Sequence, residues 1–599
     1  MIKPGDYKRP NRPIRRRLSA AQESQLPQDI HPVLRRIYAQ RGIDSLDQLD
    51  VALSRMHPAN LLGGTAAAVA LLERVLEERQ SILVIGDFDA DGATSTALAL
   101  RALRAMGAVN VRYLVPNRFE FGYGLTPEIV EVAVAHQPDL IITVDNGVAS
   151  IEGVDLARAY GIKVMITDHH LPGDRLPNAD VIVNPNLKND PFPCKSLAGV
   201  GVIYYVMLAL RAHLRQQGWF ERNAIHEPNM AQFLDLVAVG TVADVVPLVH
   251  NNRILVEQGL RRIRAGRCLP GITALMQVAG RDVRSVVAAD LGFAVGPRLN
   301  AAGRLVDMSR GIECLLTDDL EQARDIAREL DQLNRQRRSI ENQMQSEALE
   351  MLEQVGNELM VPELPYGLCL YDYRWHQGVI GILASRIKDR FHRPVIAFAD
   401  AGSGEIKGSA RSISGLHIRD LLEEIAVESS GLINKFGGHA MAAGLTLPLD
   451  QLATFRQAFE RAAQRALSKE HLDGAIYTDG ELTSADLNLE LAELLRKAGP
   501  WGQGFPVPEF EGVFEVAEQR LIAGRHLKLR LKPGEQKTGE DLNKRSTSLV
   551  DAIAFNIETL YGSEDLDTIH IVYRLEVNSY LGDSRPQLVI TCLQPVFDP

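Results

Sequence analysis

Between residues 81 and 184 the chain alternates between two kinds of hydrophobic pattern. Short, continuously apolar runs rich in β-branched residues (Ile82–Ile85, Val109–Val115, Leu140–Val144, Lys163–Thr167, Val181–Val183) are separated by helical stretches such as Ala93–Met106. Apolar runs of this length suit strands covered on both faces. Thr126-Pro127-Glu128 reads as an N-cap, a first-turn proline and an acidic first turn, while Gly107 and Gly161 stand where helices should end. The repetition predicts an α/β fold, a mainly parallel sheet with helices on both faces. Ligands of such sheets bind beyond the carboxyl ends of the strands.

Leu197–Leu214 and Met230–Val246 read as apolar helices completing this domain. From Leu320 to Leu359 apolar residues recur every three or four positions without Pro or Gly before Gly356. That pattern predicts one helix of roughly 40 residues, about 60 Å long, connecting two lobes. A second α/β region follows at 366–468, with strands near Leu368–Tyr371, Pro394–Phe398 and Ile406–Ala410. After about 470 the texture becomes short β-rich segments (Val513–Val516, His526–Leu531, Ser548–Phe555, Ile569–Val577, Leu588–Thr591) divided by turn-formers, which predicts a compact barrel. The expected division is 1–60 (basic arm and helical lead-in), 61–318, 319–361 (long helix), 362–468 and 469–599.

The 599 residues, 46 % hydrophobic and 24 % charged, suit several globular domains and exclude a mostly disordered chain. No apolar run reaches the ~18 residues of a membrane span. The first seventeen residues hold seven Lys or Arg with no apolar stretch after them, which reads as a solvated basic arm and not as a secretory signal. Five scattered cysteines without a C-x-x-C spacing argue against a disulfide framework or zinc ribbon and fit a reducing cytoplasm. A net charge of −11 weighs against a histone-like binder of nucleic acid, though not against an enzyme with a local basic groove.

Chemistry concentrates where the strands end. Ile82–Ile85 runs into Gly86-Asp87-Phe88-Asp89-Ala90-Asp91-Gly92, which superficially matches an EF-hand loop. A strand leads in, however, and Leu98 occupies the position of the bidentate Glu. Leu140–Val144 runs into Asp145-Asn146-Gly147, and Lys163–Thr167 into Asp168-His169-His170. Val242-Ala243-Asp244 places another acid after an apolar helix. So many carboxylates beside buried strands repel one another unless cations hold them. Carboxylates with imidazoles and no thiolate favour Mn²⁺ or Mg²⁺, and four or five carboxylates suit two ions about 3.5–4 Å apart. No G-x-S-x-G elbow is present, and Gly199-x-Gly201 lacks the third glycine of a dinucleotide loop.

The three strand-end motifs resemble motifs one to three of the DHH phosphoesterases, and Gly240-Thr241-Val242-Ala243-Asp244-Val245-Val246-Pro247-Leu248 resembles the fourth. Gly437-Gly438-His439-Ala440-Met441-Ala442-Ala443-Gly444 resembles the signature of the DHH-associated domain. Order, spacing and length are similar to the single-strand-specific exonuclease branch of that superfamily. The resemblance implies that Asp87, Asp89 and Asp91 ligate or neighbour metal, that Asp145 bridges two ions, and that His169 and Asp244 hold the second. It gives His170 to the scissile phosphate and Asp168 to orienting its neighbours. It also implies an oligonucleotide-binding (OB) barrel at the C-terminus. The implied activity is removal of nucleoside 5′-monophosphates from the 5′ end of single-stranded DNA in repair and recombination. A single-strand-binding protein and a helicase are the implied partners, and a monomer suffices.

In that light, Arg118 follows the second strand at the sheet edge. Gly296–Arg304 reads as a Gly-punctuated turn carrying Arg298 and Arg304 toward phosphate. Ser409 and Arg411 lie on one face of an extended segment, suited to a terminal phosphate, and Gly437, Gly438 and His439 offer backbone amides. Two other readings stand beside this one. A DHH phosphodiesterase for very short RNAs or cyclic dinucleotides would lack the extra barrel, and a non-catalytic replication scaffold would tolerate loss of the acidic cluster.

Overall fold

The computed structural model describes residues 12–17, 26–116, 124–359, 364–534, 549–555, 566–580 and 583–596. The chain divides into two compact units: Ala21–Arg335 with Arg496–Val507, and Gln336–Leu495 with Pro508–Pro599 and Met1–Ala20.

The first unit is built on a five-stranded, all-parallel sheet of β1 (Ile82–Ile85), β2 (Val111–Leu114), β3 (Leu140–Val144), β4 (Lys163–Thr167) and β5 (Val181–Val183), in the order β2-β1-β3-β4-β5. β1 and β3 are buried at every position, as strands covered on both faces must be. β2 is an edge strand with only Val111 buried, so its pairing is shorter than the apolar run.

Helix α1 (Ala90–Ala105) leaves β1 through Asp89, whose Oδ1 accepts the Asp91 and Gly92 amides at 2.9 and 3.0 Å. It is buried nearly all round, Leu98 completely, which disposes of the EF-hand pattern. α2 (Gly199–Gln216) follows β5. The apolar stretch from Met230 divides into a 3₁₀ turn, Met230–Phe233, and α3 (Leu234–Ala243), which ends at Asp244.

The expected Gly-punctuated turn at 296–304 is instead a helix, α4 (Gly296–Leu305), preceded by a turn of π-helix at Leu291–Val295. Pro297 suits a first turn, and burial of Leu299, Ala301 and Ala302 outweighs the weak helix propensity of the glycines. α5 spans Leu320–Leu359, as its periodicity predicts, and runs from the first unit into the second.

The second unit contains a mixed sheet of β6 (Leu368–Tyr371), β7 (Val395–Gly402), β8 (Glu405–Arg411), β9 (Lys435–Gly438) and β10 (Ala442–Pro448), ordered β9-β10-β8-β7-β6. Only β6 and β7 pair in parallel. α6 (Ile380–Phe391) packs on this sheet through Leu383, Ala384 and Ile387. The C-terminal segment closes a five-stranded barrel of β11 (Phe510–Ile522), β12 (His526–Pro533), β13 (Val550–Ala554), β14 (Thr568–Tyr580) and β15 (Asp583–Pro595), ordered β11-β12-β13-β15-β14.

The N-terminal arm is not simply solvated. Ile14–Arg16 pairs in parallel with Ile476–Thr478, Arg16 forms ion pairs with Glu481 and Glu511, and Arg17 lies 3.3 Å from Asp479.

Because Leu98 is wholly enclosed, Leu98→Ala is expected to lower the stability of the first unit by about 2–5 kcal/mol. Urea unfolding of the wild type and the variant reads this directly, and a midpoint shift equivalent to less than about 1 kcal/mol would contradict the packing.

Candidate active site

Three neighbouring strands of the first sheet deliver their chemistry to the same edge because all three run in the same direction. Asp87 follows β1, Asp145 follows β3 and Asp168-His169-His170 follows β4. Asp244 arrives from the C-terminus of α3.

Oxygen and nitrogen atoms of three overlapping groups come within 4.8 Å of one another: Asp87, Asp89 and Asp145; Asp91, His169 and Asp244; Asp145, His169 and His170. Asp145 belongs to two of them. His169 Nε2 lies 3.0 Å from Asp145 Oδ1 and 3.5 Å from Asp244 Oδ2.

Close packing sets these positions. Asp91 sits at the N-terminus of α2, where Gly199 N–H donates to Oδ2 at 2.6 Å and Val200 N–H to Oδ1 at 2.9 Å. A Cβ on Gly199 would stand 2.7 Å from Asp145 Oδ1, and one on Gly240 would stand 2.7 Å from Asp91 Oδ1, so neither site admits a side chain. Asp145 adopts φ +63°, a conformation more accessible to Asp than to most residues. The next residue fixes the turn: Asn146 Nδ2 donates to Val144 O at 2.9 Å and Ile85 O at 3.2 Å, and Thr143 Oγ1 donates to Asn146 O at 2.7 Å.

Asp168 does different work. Its Oδ1 accepts the His169 and His170 amides at 2.7 and 3.1 Å and lies 2.7 Å from His170 Nδ1, while Oδ2 accepts Val148 N–H at 2.9 Å. Burial alone would raise its pKa. The bond and charge of His170 outweigh burial, and Asp168 is held below its ordinary value. An ionised carboxylate only accepts, so His170 Nδ1 carries a proton and Nε2 is the atom left to act. Burial disfavours the imidazolium, yet Asp168, Asp87 and Asp89 together raise the His170 pKa.

The other carboxyls shift the opposite way. Burial first, then Asp89, pushes Asp91 up to about 7. Burial, then Asp91, Asp89 and Asp87, raises Asp145 and Asp244 well above the carboxylate range. Asp244 Oδ2 is buried and accepts no hydrogen bond among the described residues. Oxygen-rich, thiolate-free and electrostatically undercompensated, this donor set fits hard divalent cations such as Mn²⁺ or Mg²⁺.

The basic residues separate by environment. Arg118 lies outside the described residues. Arg298 does not point toward phosphate as expected: it is buried, donates to Ala294 O at 2.7 Å and lies 2.7 Å from Asp331 Oδ1 on α5. A guanidinium neutralised in this way fastens α4 to α5. Arg304 lies half-buried near the end of α4.

Ser409 and Arg411 belong to the second unit, on β8. Arg411 Nη1 donates to Ser409 Oγ at 3.1 Å and Ala410 O at 2.8 Å. Burial pulls the Arg411 pKa below its ordinary value, and among the described residues no carboxylate forms an ion pair with it. Gly381, in the first turn of α6, lies against both side chains. Gly437 and Gly438 end β9, and His439 follows them, exposed.

Sequence reasoning missed three positioning asparagines. Asn186 Nδ2 donates to His169 O at 2.6 Å, Asn184 Nδ2 to His170 O at 2.9 Å, and Asn300 Oδ1 accepts Ala90 N–H at 2.7 Å. Asn184 and Asn186 follow β5 at the same sheet edge, so the strand-end rule that found the acids extends to them.

The raised carboxyls have a consequence for stability. A carboxyl whose folded-state pKa is raised contributes stability below its unfolded value and loses it as pH climbs through the folded value. Metal-free protein should therefore lose the Asp91 contribution between about 4 and about 7, with Asp145 and Asp244, also raised, adding to the loss as pH climbs. Asp145→Asn is expected to raise Tm in EDTA at pH 8 and to abolish stabilisation by Mn²⁺. Thermal melts with EDTA or Mn²⁺ at pH 5 and pH 8 check both, and a variant less stable than wild type in EDTA at pH 8 would refute the repulsion argument.

Comparison with known proteins agrees with this geometry. Residues 81–241 match the DHH family, N-terminal domain; 363–465 match the DHHA1 domain; and 478–591 match the RecJ OB domain. The chain is 53 % identical over 97 % of its length to the single-stranded-DNA-specific exonuclease RecJ of Dickeya dadantii, covering 99 % of that protein. It is 52 % identical over 97 % to RecJ of Escherichia coli, again covering 99 %. The crystal structure of RecJ in complex with Mn²⁺ from Thermus thermophilus matches with a TM-score of 0.77 and 30 % identity, over 98 % of this chain and 80 % of that one. A parallel sheet with an acidic carboxyl edge, a DHHA1 domain and a RecJ-type barrel in one chain, at this identity over nearly its full length, place it in the RecJ family of DHH exonucleases.

Proposed function

We propose that this protein is a metal-dependent exonuclease that degrades single-stranded DNA from the 5′ end, releasing nucleoside 5′-monophosphates. The observation that carries the reading is the clustering of five carboxylates and His169 at one sheet edge, beside a His170 held by Asp168. Asp87, Asp89, Asp91, Asp145, His169 and Asp244 would hold two ions, Asp145 and His169 each belonging to two of the donor groups. Bound Mn²⁺ or Mg²⁺ would polarise the phosphodiester and make water a competent nucleophile.

The chain's own residues supply the remainder. His170, its pKa raised by the bond to and charge of Asp168, would donate through Nε2 to a phosphoryl oxygen as negative charge grows there. Asn184, Asn186 and Asn300 hold the backbone that carries these groups, so little rearrangement is needed when the phosphate arrives.

Direction requires recognition of a chain end, because a phosphodiester looks much alike from either side. Arg411, half-buried, without a carboxylate partner among the described residues and beside the Ser409 hydroxyl and the first turn of α6, is suited to a terminal 5′-phosphate. Gly437, Gly438 and His439, on the hairpin whose β10 pairs with β8, would add backbone donors. Arg304 is a further candidate for backbone phosphate contact.

The barrel would bind the following nucleotides. A helicase supplying the strand and a single-strand-binding protein coating it are the partners this role implies. Five free cysteines fit the cytoplasm, and among the described residues no single helix is long and apolar enough to cross a membrane.

Asp145→Ala should retain less than a tenth of the wild-type rate on single-stranded DNA in Mn²⁺, measured on oligonucleotides labelled at either end. Digestion beginning at the 3′ end would overturn the polarity. Arg411→Ala should lose most of any preference for 5′-phosphorylated over 5′-hydroxyl strands, by a factor of roughly 10 to 150. Equal slowing on both substrates would make Arg411 a general backbone contact.

A further inference from the structure

The segment from Leu291 to Leu305 is fastened directly to elements that carry the candidate metal ligands. Gly292 and Gly296 pack so closely on Val242 and Ala243, the two residues before Asp244, that a Cβ on either would stand 3.2 Å from their side chains. Asn300 Oδ1 accepts the amide of Ala90, between Asp89 and Asp91, and Arg298 is pinned by Ala294 O and Asp331. This is a tightly fastened scaffold, and its first five residues form a turn of π-helix, a rare conformation that is frequent at functional sites.

Within that turn Leu291, Ala294 and Val295 are buried, yet Phe293 is 76 % exposed. An isolated exposed aromatic on an ordinary surface needs no explanation. Here the ring stands on an immobilised turn packed against the residues that lead into Asp244. Val245, immediately after Asp244, is 61 % exposed and adopts φ +63°, a strained conformation for a β-branched residue. Apolar surface is thus held, at conformational cost, beside a centre made almost wholly of charge.

Ions and His170 can address only the phosphate of a nucleotide. The rest of that nucleotide is largely a flat aromatic base, and in a single strand the base is free to leave its neighbours. A phenyl ring offers it a face that does not depend on base identity.

We propose that Phe293 is a stacking platform for a base of the strand being hydrolysed, and so a positioning residue for the reaction. The inference rests on the single-strand reading above and adds to it a specific side chain and the part of the substrate it holds.

The test uses the full chain and its Phe293→Leu and Phe293→Trp variants, with single strands carrying the fluorescent base 2-aminopurine at each of the first five positions in turn. In EDTA, where turnover is absent, wild type and Phe293→Trp should quench one position on binding, and Phe293→Leu should not. In Mn²⁺, Phe293→Leu should raise KM by roughly 5- to 150-fold with a smaller change in kcat, Phe293→Trp should restore KM, and an abasic nucleotide at the quenched position should erase the difference between wild type and Phe293→Leu.

Equal quenching by wild type and Phe293→Leu, or a Phe293→Leu KM within twofold of wild type, overturns the proposal. So does failure of Phe293→Trp to restore KM while its melting temperature matches wild type. Wild-type protein that neither binds nor cuts the strand would instead overturn the exonuclease reading itself.

Discussion

Electrostatic repulsion among carboxylates gathered at the end of a buried parallel sheet is the constraint on which the catalytic unit depends. Asp87, Asp89, Asp91, Asp145 and Asp244 would separate if their backbones allowed it. The sheet does not allow it, because parallel strands in fixed register must discharge their following residues at one edge. Part of the repulsion is offset locally: Asp89 caps α1, and Asp91 accepts two amides at the start of α2. The remainder appears as raised pKa values on Asp91, Asp145 and Asp244, which is a standing affinity for protons or for cations.

Two buried aspartates beside the same pair of histidines show how environment assigns roles to one side-chain type. Asp168, saturated by three backbone amides and His170, is stabilised as an anion and orients an imidazole. Asp145, facing four other carboxylates, resists ionisation and is suited to a cation. Pairs of titratable groups pushed apart in this way are a usual mark of divided chemical labour.

The same contrast separates two arginines. Arg298 has a carboxylate partner in Asp331 and serves architecture, whereas Arg411 is half-buried beside a hydroxyl and has no carboxylate partner among the described residues. A desolvated guanidinium lacking a counter-charge is an anion site in waiting; one already neutralised is a fastener.

Much of this was legible in the sequence. Apolar runs as short as four residues between helical stretches dictate a buried parallel sheet, and that topology alone forces Asp87, Asp145 and Asp168-His169-His170 to one edge. The long helix Leu320–Leu359 was equally legible, since its periodicity is uninterrupted by Gly or Pro before Gly356. Tertiary structure decided what burial decides. Gly-rich 296–304 became a helix because Leu299, Ala301 and Ala302 had a core to enter, and Arg298 turned inward because Asp331, thirty-three residues away in sequence, lay within reach. β9 and β10 formed from a Gly-rich stretch because β8 offered an edge to pair with. The asparagines that hold His169, His170 and Ala90 act through backbone contacts that no side-chain pattern records. Sequence by itself determined which groups the sheet must bring together; only the tertiary structure decided which polar groups found partners within the protein, because that depends on neighbours distant along the chain.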